Sequence, residues 1–392
     1  MIESKPAHSI INRSVDFWLL GGASIALWAV MLTAQLFRDQ YDVIGNHFLQ
    51  VAGFFSIMSL VCNHPHFMIS YRFGYGRGTP FILKHWFSLL AVPIGLIALF
   101  ILAYCNYDFS IRESPLAASV SHFFTAHPMI RRWDDFNNFG TESLAFAAGL
   151  MFITVGWHYS KQVFGCMMVY AKYDEYPLTP FQRKVIKASV FAIAWFSFLS
   201  GVLSFKQYGN SGSAKFFNIP LASYPLPLWL LPFTGVCIAI FSSLTVFLVF
   251  VPNYRKYKKI PSLNFLISWI AFHIWWIPII PNNEFYIVTV PFFHSLQYLP
   301  FAYRLESPRS APKNISHRKL YSKIALLLFI GFMAFELGPS MLDRHFDTFA
   351  NKGSLFFLIS FVIFINVHHF FIDSVVWKFN LPEVRKNLLF EN

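Results

Sequence analysis

The sequence predicts an all-α fold, a polytopic transmembrane helical bundle of about ten spans with both termini in the cytoplasm. Three observations carry that prediction: an unusually apolar composition, apolar runs of bilayer-crossing length, and basic residues gathered in the short segments between those runs. The 392 residues are 56% hydrophobic and 13% charged, with 48 Phe, 17 Tyr and 11 Trp, well outside soluble composition. The net charge of +12 would by itself suit a nucleic-acid partner. The placement of that charge between apolar runs excludes one and points to topology determinants in a chain whose partners are membrane lipids. Cys62, Cys105, Cys166 and Cys237 fall within or at the ends of apolar runs without paired spacing, so neither a disulfide framework nor a zinc knuckle is indicated.

Taken in order, residues 1–16 are polar and 17–37 form the first span, too long for a cleavable signal and without a small-x-small site. Nine more follow, at 44–64, 86–105, 142–170, 185–205, 226–251, 262–281, 285–303, 324–341 and 354–376. With the N-terminus inside, the cytoplasmic segments hold twenty-two of the 31 basic residues, the outer segments hold eight, and Lys161 lies within a span. That bias is the one cytoplasmic loops show, and it requires 285–303 to cross, since otherwise the basic 304–323 loop would lie outside. The longest outer loop, 106–141, carries His122, His127, Arg131, Arg132, Asp134 and Asp135 and reads as a structured cap with an interfacial helix near 115–124. The chain is a single membrane domain over 1–392, with the bacterial inner membrane the favoured location. No feature sets an oligomeric state.

The histidines point to chemistry. Seven of the 14 fall inside or at the ends of predicted spans: His64, His66, His158, His273, His294, His368 and His369. Imidazoles in hydrocarbon are costly, and a membrane fold has little structural use for so many. Counting back from the cytoplasmic charges at about 1.5 Å per residue, His294 lies roughly 15 Å above Arg304 and His368 and His369 roughly 14 Å above Lys378. By the same rise His158 lies roughly 20 Å above Lys172, and His64 roughly 12 Å above Arg72 if the second helix continues that far. Four spans distant in sequence thus place imidazoles in one layer. His64, His66, His158, His294, His368 and His369 are the candidate metal ligands, iron first and zinc or copper after it.

Helical spacing supplies supporting groups. Asp373 is i+4 from His369, Gln297 and Tyr298 are i+3 and i+4 from His294, and Lys161 and Gln162 are i+3 and i+4 from His158. Asp373, Gln297 and Gln162 are candidate supports for the ligands, and Tyr298 and Lys161 candidate catalytic groups. Each also has a structural reading, as an ion pair or a hydrogen bond between helices. The adjacent pair His368-His369 diverges by about 100° on a helix, so one histidine can meet a metal while the other faces a neighbouring helix. His273 reads as a core histidine beside an aromatic belt, His85 as an interfacial residue. Glu336 lies roughly 19 Å above Lys323, too far from the histidine layer to be a ligand.

A histidine site among Phe-rich helices opens to lipid more easily than to water, which favours an apolar small-molecule substrate and iron-dependent oxidation of a lipid or isoprenoid. The HxxxH and HxxHH spacings of membrane desaturases are missing from the spans. Phe292-Phe293-His294-Ser295-Leu296-Gln297-Tyr298, with Trp157-His158 and the later Phe164-Gly165, instead resembles segments of the bacterial and archaeal β-carotene dioxygenases of the bacterioopsin-related-protein type. The resemblance implies a multi-span protein in which histidines on several helices hold non-haem iron. It covers two short segments, and Tyr298 stands where that family repeats a histidine. Two rival classes stand beside this one: a proton- or metal-coupled transporter, and an acyltransferase with a single histidine general base.

Overall fold

The computed structural model describes residues 9–36, 43–108, 138–207, 215–216, 219–220, 227, 229–275, 283–306, 317–346 and 355–389. Most of the 106–141 loop, including its histidines and the interfacial helix expected near 115–124, lies outside the described residues. The helices are α1 (Arg13–Thr33), α2 (Val43–Tyr75), α3 (Thr79–Lys84), α4 (Phe87–Cys105), α5 (Phe139–Tyr173), α6 (Pro180–Gln207), α7 (Leu230–Tyr257), α8 (Leu263–Trp275), α9 (Asn283–Glu306), α10 (Ser322–His345), α11 (Phe356–Val376) and α12 (382–389). The strand pairing among the described residues is a minimal hairpin of Lys215-Phe216 with Ile219-Pro220. Six helices, α1, α4, α5, α7, α10 and α11, are long and apolar enough to cross a membrane. The other expected spans also coincide with helices: 44–64 with α2, 185–205 with α6, 262–281 with α8 and 285–303 with α9.

Local chemistry fixes the helix ends. Asn12 and Asn138 accept hydrogen bonds from the backbone N–H of Val15 and Thr141, capping α1 and α5. Asp343, near the end of α10, accepts from the N–H groups of Phe357 and Leu358 and so caps α11 from the preceding helix. Lys258 closes α7 in the left-handed conformation, φ 53°. Helix α5, 35 residues long, spans roughly 50 Å at the α-helical rise and therefore overshoots a hydrocarbon core of about 30 Å.

Around this long helix pack α4, α6, α8 and α11, while α2 packs against α9, α10 and α11. One apolar cluster, including Val163, Met167, Tyr170, Ile186 and Phe265, ties α5 to α6 and α8. A second, including Leu144, Ala148, Ile359 and Ile363, ties α5 to α11 and α4. The site described below lies between these two clusters, where α2, α5, α9 and α11 meet.

Ion pairs gather several helix ends at one end of the bundle. Arg72 and Lys323 both pair with Glu306, Arg13 pairs with Asp174, and Arg77 pairs with Glu383 at 3.0 Å. These contacts join the starts of α1 and α10 to the ends of α2, α5 and α9 and to the C-terminal α12. The N-terminal segment is anchored there by Asp16, which is buried and accepts the N–H groups of Ile10 at 2.7 Å and Ile11 at 3.0 Å together with the Tyr170 hydroxyl. Arg304 donates to the Ile10 carbonyl.

Two close approaches depend on glycine. A Cβ on Gly21 would sit 2.7 Å from the Ile267 carbonyl oxygen, which lets α1, kinked there, lie against α8. A Cβ on Gly331 would sit 2.4 Å from the Cβ of His64, which sets α10 directly on α2. Gly331→Val should therefore overpack the α2–α10 contact and destabilise the fold by about 1–3 kcal/mol, read as a lower thermal unfolding midpoint of the detergent-solubilised protein.

Candidate metal centre

Four helices each deliver one imidazole to a common point: His66 from α2, His158 from α5, His294 from α9 and His369 from α11. One nitrogen from each lies within 4.8 Å of the corresponding nitrogens of the other three. His158 Nε2 and His369 Nε2 are 3.2 Å apart. Two nitrogens bound to one ion at about 2.1 Å, roughly 100° apart, have about that separation. His66, His158 and His369 are buried, and His294 is half-buried at the edge of a cavity.

Unsatisfied polar atoms face the same point. His66 Nε2, His294 Nε2 and both carboxylate oxygens of Asp373 are buried without a hydrogen-bond partner. Buried polar groups are normally paired, and a buried carboxyl group is compensated either by a proton or by a neighbouring positive charge. Asp373 Oδ2 lies 3.5 Å from His369 Nε2 and 3.7 Å from His158 Nε2. A transition-metal cation fits this donor set, because it accepts the lone pairs of four imidazoles and neutralises the carboxylate beside them.

The tautomer of His66 follows from its neighbours. Ser295 donates its one hydroxyl proton to Asn63 Oδ1, so its oxygen is left to accept from His66 Nδ1 at 2.7 Å. Nδ1 thus carries the proton, and Nε2 presents its lone pair to the cluster. Tyrosine rings wall the imidazoles: Tyr298 lies 4.0 Å from the His66 ring and Tyr159 lies 4.1 Å from the His294 ring, centroid to centroid.

Two of the six expected ligands stand elsewhere. His64 stacks on Phe335, with ring centroids 4.9 Å apart, and His368 hydrogen-bonds Tyr71 at 3.0 Å and Tyr75 at 3.1 Å. The reason is helical rotation: His64 and His66 differ by about 200° around α2, and His368 and His369 by about 100° around α11. Neither pair can turn both rings to one ion. His273 is a satisfied core histidine, donating from Nδ1 to the Trp269 carbonyl and meeting Ser242 through Nε2.

The expected supporting groups are redistributed as well. Asp373 faces the ligand nitrogens themselves and not the remote nitrogen of His369, so it stands beside the metal position. Gln162 donates to the His294 backbone carbonyl at 2.8 Å and to Gln297 Oε1 at 3.0 Å, and Gln297 donates to the Leu20 carbonyl at 2.7 Å. These two glutamines hold α9 against α5 and α1 without touching an imidazole nitrogen. The Tyr298 hydroxyl is held by Ser70 at 2.6 Å and Trp377 at 3.3 Å, and the Lys161 ammonium sits over the Phe370 ring at 4.8 Å. Asn63, Ser295 and Tyr159 took no role in the sequence reading. Asn63 carried a legible signal, being three residues before His66 on the same helical face.

The histidine layer separates two cavities. One, of about 200 Å³, is lined by residues that precede the ligands in their helices, including Leu60, Asn63, Val155 and Asn366. Glu336, outside the ligand cluster, lines it too, from within the π-type turn Met333–Leu337 in α10. The other, of about 330 Å³, is lined by residues that follow the ligands, including Lys161, Phe164, Phe301 and Trp377, toward the ion-paired end of the bundle. His158 lines both.

Comparison of the chain with protein-family models, with curated proteins and with solved structures finds no match in any of the three.

Substituting any one of His66, His158, His294 or His369 by Ala should abolish stoichiometric metal binding, whereas His64→Gln and His368→Gln should retain it, as read by elemental analysis of purified protein. Ser295→Ala should keep metal at saturation but lower its affinity by about 10–100-fold, as read by competition with a chelator of known affinity.

Proposed function

We propose that this chain is a membrane-embedded, histidine-ligated metalloenzyme that oxidises an apolar lipid or isoprenoid, with iron as its metal. The observation that carries the reading is the convergence of four imidazole nitrogens from four helices, with the buried Asp373 carboxyl group beside two of them. His66, His158, His294 and His369 hold the metal, and Asp373 balances its charge. Iron on several histidines, with coordination positions left over, supplies activation of dioxygen. The chain's own residues supply the rest. Ser295 and Asn63 fix the His66 tautomer, Tyr159 and Tyr298 wall the ligand rings, and the Phe-rich interior excludes water.

The segment Phe292–Tyr298, which resembles the β-carotene dioxygenases, carries His294, one of the four clustered histidines, and this supports the oxygenase reading over hydrolysis. The apolar lining of the larger cavity supports a lipid-soluble substrate. In this reading the chain crosses the membrane ten times, with both ends in the cytoplasm of a bacterial inner membrane. The helices at all ten expected positions and the gathering of basic helix ends support that topology.

One observation favours a metal-coupled transporter as the second reading, namely the cavities on opposite sides of the histidine layer. The larger cavity mixes polar residues such as Gln162, Asp373 and Ser374 with a mostly apolar wall, which suits a lipid-soluble ligand better than a bare ion. The acyltransferase reading needs one histidine base and leaves the other three imidazoles and the bare carboxylate without a purpose.

Protein purified without added chelator should carry about one iron per chain and consume dioxygen when given its substrate, as read by elemental analysis and an oxygen electrode. Zinc at the same stoichiometry, bound in preference to supplied iron, would overturn the oxidative reading. Metal moved across proteoliposomes by protein that retains none would favour the transporter.

A further inference from the structure

The cavity on the ion-paired side of the histidine layer has a graded chemistry. Its inner end reaches His158, Tyr298 and Asp373, and its walls are apolar, formed by side chains such as Phe164, Val169, Phe301 and Phe379. Two lysines, Lys161 and Lys378, complete the lining, and both are exposed. Lys161 lies close enough to Lys378, and to Lys187, for their charges to interact. Neither forms an ion pair with a carboxylate among the described residues. Asp373, the acid that the sequence offered as a partner for Lys161, is directed at His158 and His369 instead.

An ammonium in a membrane-spanning helix with no counter-charge is costly to keep. Two of them at the rim of an apolar cavity form a receptor for an anionic headgroup. The volume of about 330 Å³ lies at the small end of ligand sites, enough for part of a hydrocarbon chain with its polar head left at the rim.

We propose that this cavity binds a single-chain amphiphile with an anionic headgroup, a carboxylate or a phosphate, placing the head between Lys161 and Lys378 and carbons remote from it at the histidine layer. The proposal rests on the metalloenzyme reading only in identifying the inner end as the reacting end; occupancy of the cavity stands on the cavity alone. It narrows the substrate class from apolar lipids in general to anionic amphiphiles. Charge complementarity at the rim makes the choice, because a wholly apolar ligand would leave both lysines unpaired.

The glycine at 165 supplies the blocking variant, since it lines the cavity and a Cβ built on it meets nothing within 4 Å. Gly165→Phe therefore fills the space without a backbone clash. The test measures saturable binding of radiolabelled dodecanoate and dodecyl phosphate to the full chain in phosphatidylcholine nanodiscs. Dodecanol serves as the uncharged control, and acetate and inorganic phosphate as headgroups without a chain.

Both anionic amphiphiles should bind the wild type about tenfold or more tightly than dodecanol, the scale of a charge-assisted hydrogen bond. The Lys161→Gln/Lys378→Gln double variant should lose that advantage while binding dodecanol as before. Gly165→Phe should lose all three ligands, and neither acetate nor phosphate should compete. Equal affinity for dodecanol and dodecanoate, an unchanged lysine variant, or competition by the free anions would each overturn the proposal. The lysines lie at exposed positions where substitution leaves packing intact, so their arm decides even if Gly165→Phe misfolds. None of these readouts requires bound metal: failure of the metal reading would leave the binding result standing, and failure of binding would leave the metal analysis standing.

Discussion

The carboxyl group of Asp373 is buried beside two of the four clustered imidazoles, and burying a carboxyl group there is the constraint the site must answer. Removing an ionised carboxylate from water costs several kcal/mol even after relaxation. Nε2 of His369 and of His158 lie 3.5 and 3.7 Å from one of its oxygens. A cation shared by these nitrogens and those of His66 and His294 offsets both costs, the buried charge and the unpaired lone pairs. The four imidazoles that could share such a cation come one each from α2, α5, α9 and α11, where these helices meet.

Holding four rings to one point requires helices to be fixed in both height and rotation, and hydrogen bonds beyond the ligands do this. Gln162 and Gln297 form a chain from α5 through α9 to the Leu20 carbonyl of α1, and one of its links is the backbone of His294 itself. Ser295 and Asn63 connect α9 to α2 through His66. Two glycines set how closely the outer helices approach: Gly21 brings α1 to α8, and Gly331 brings α10 onto His64. A ligand set drawn from distant parts of the chain thus has a supporting set drawn equally widely, which keeps its geometry from drifting with any single helix.

Much of this was legible in the sequence, and what was missed has a common cause. Apolar run length located helices at all ten expected positions, and helix rise from the basic segments between the runs placed His158, His294 and His369 in one layer. Height along an axis is one coordinate, and it says nothing about rotation. His64 and His368 share that layer but point to Phe335 and to the Tyr71–Tyr75 pair. The i+3 and i+4 spacings put Gln162 and Gln297 on the correct helical faces, yet long amides reach neighbouring backbones as readily as neighbouring rings. Glu336, which helix rise set too far from the layer to be a ligand, stands outside the cluster and lines the cavity beside it. Pairings such as Ser295 with His66, 229 residues apart, exist only once α2 and α9 have packed.

The histidine layer works as a partition with different chemistry on its two sides. Toward one end lies a smaller space that includes Asn63, Asn366 and Glu336 in its lining; toward the other lies a larger apolar space rimmed by lysines. The two spaces differ in lining, and both reach the histidine layer at His158. His158 is the side chain that lines both spaces, and through Asp373 it also touches the charge on which the centre depends. The two cavities, the Asp373 carboxyl group and the convergence of helices therefore meet at one imidazole near the middle of α5, the helix on which α4, α6, α8 and α11 all pack.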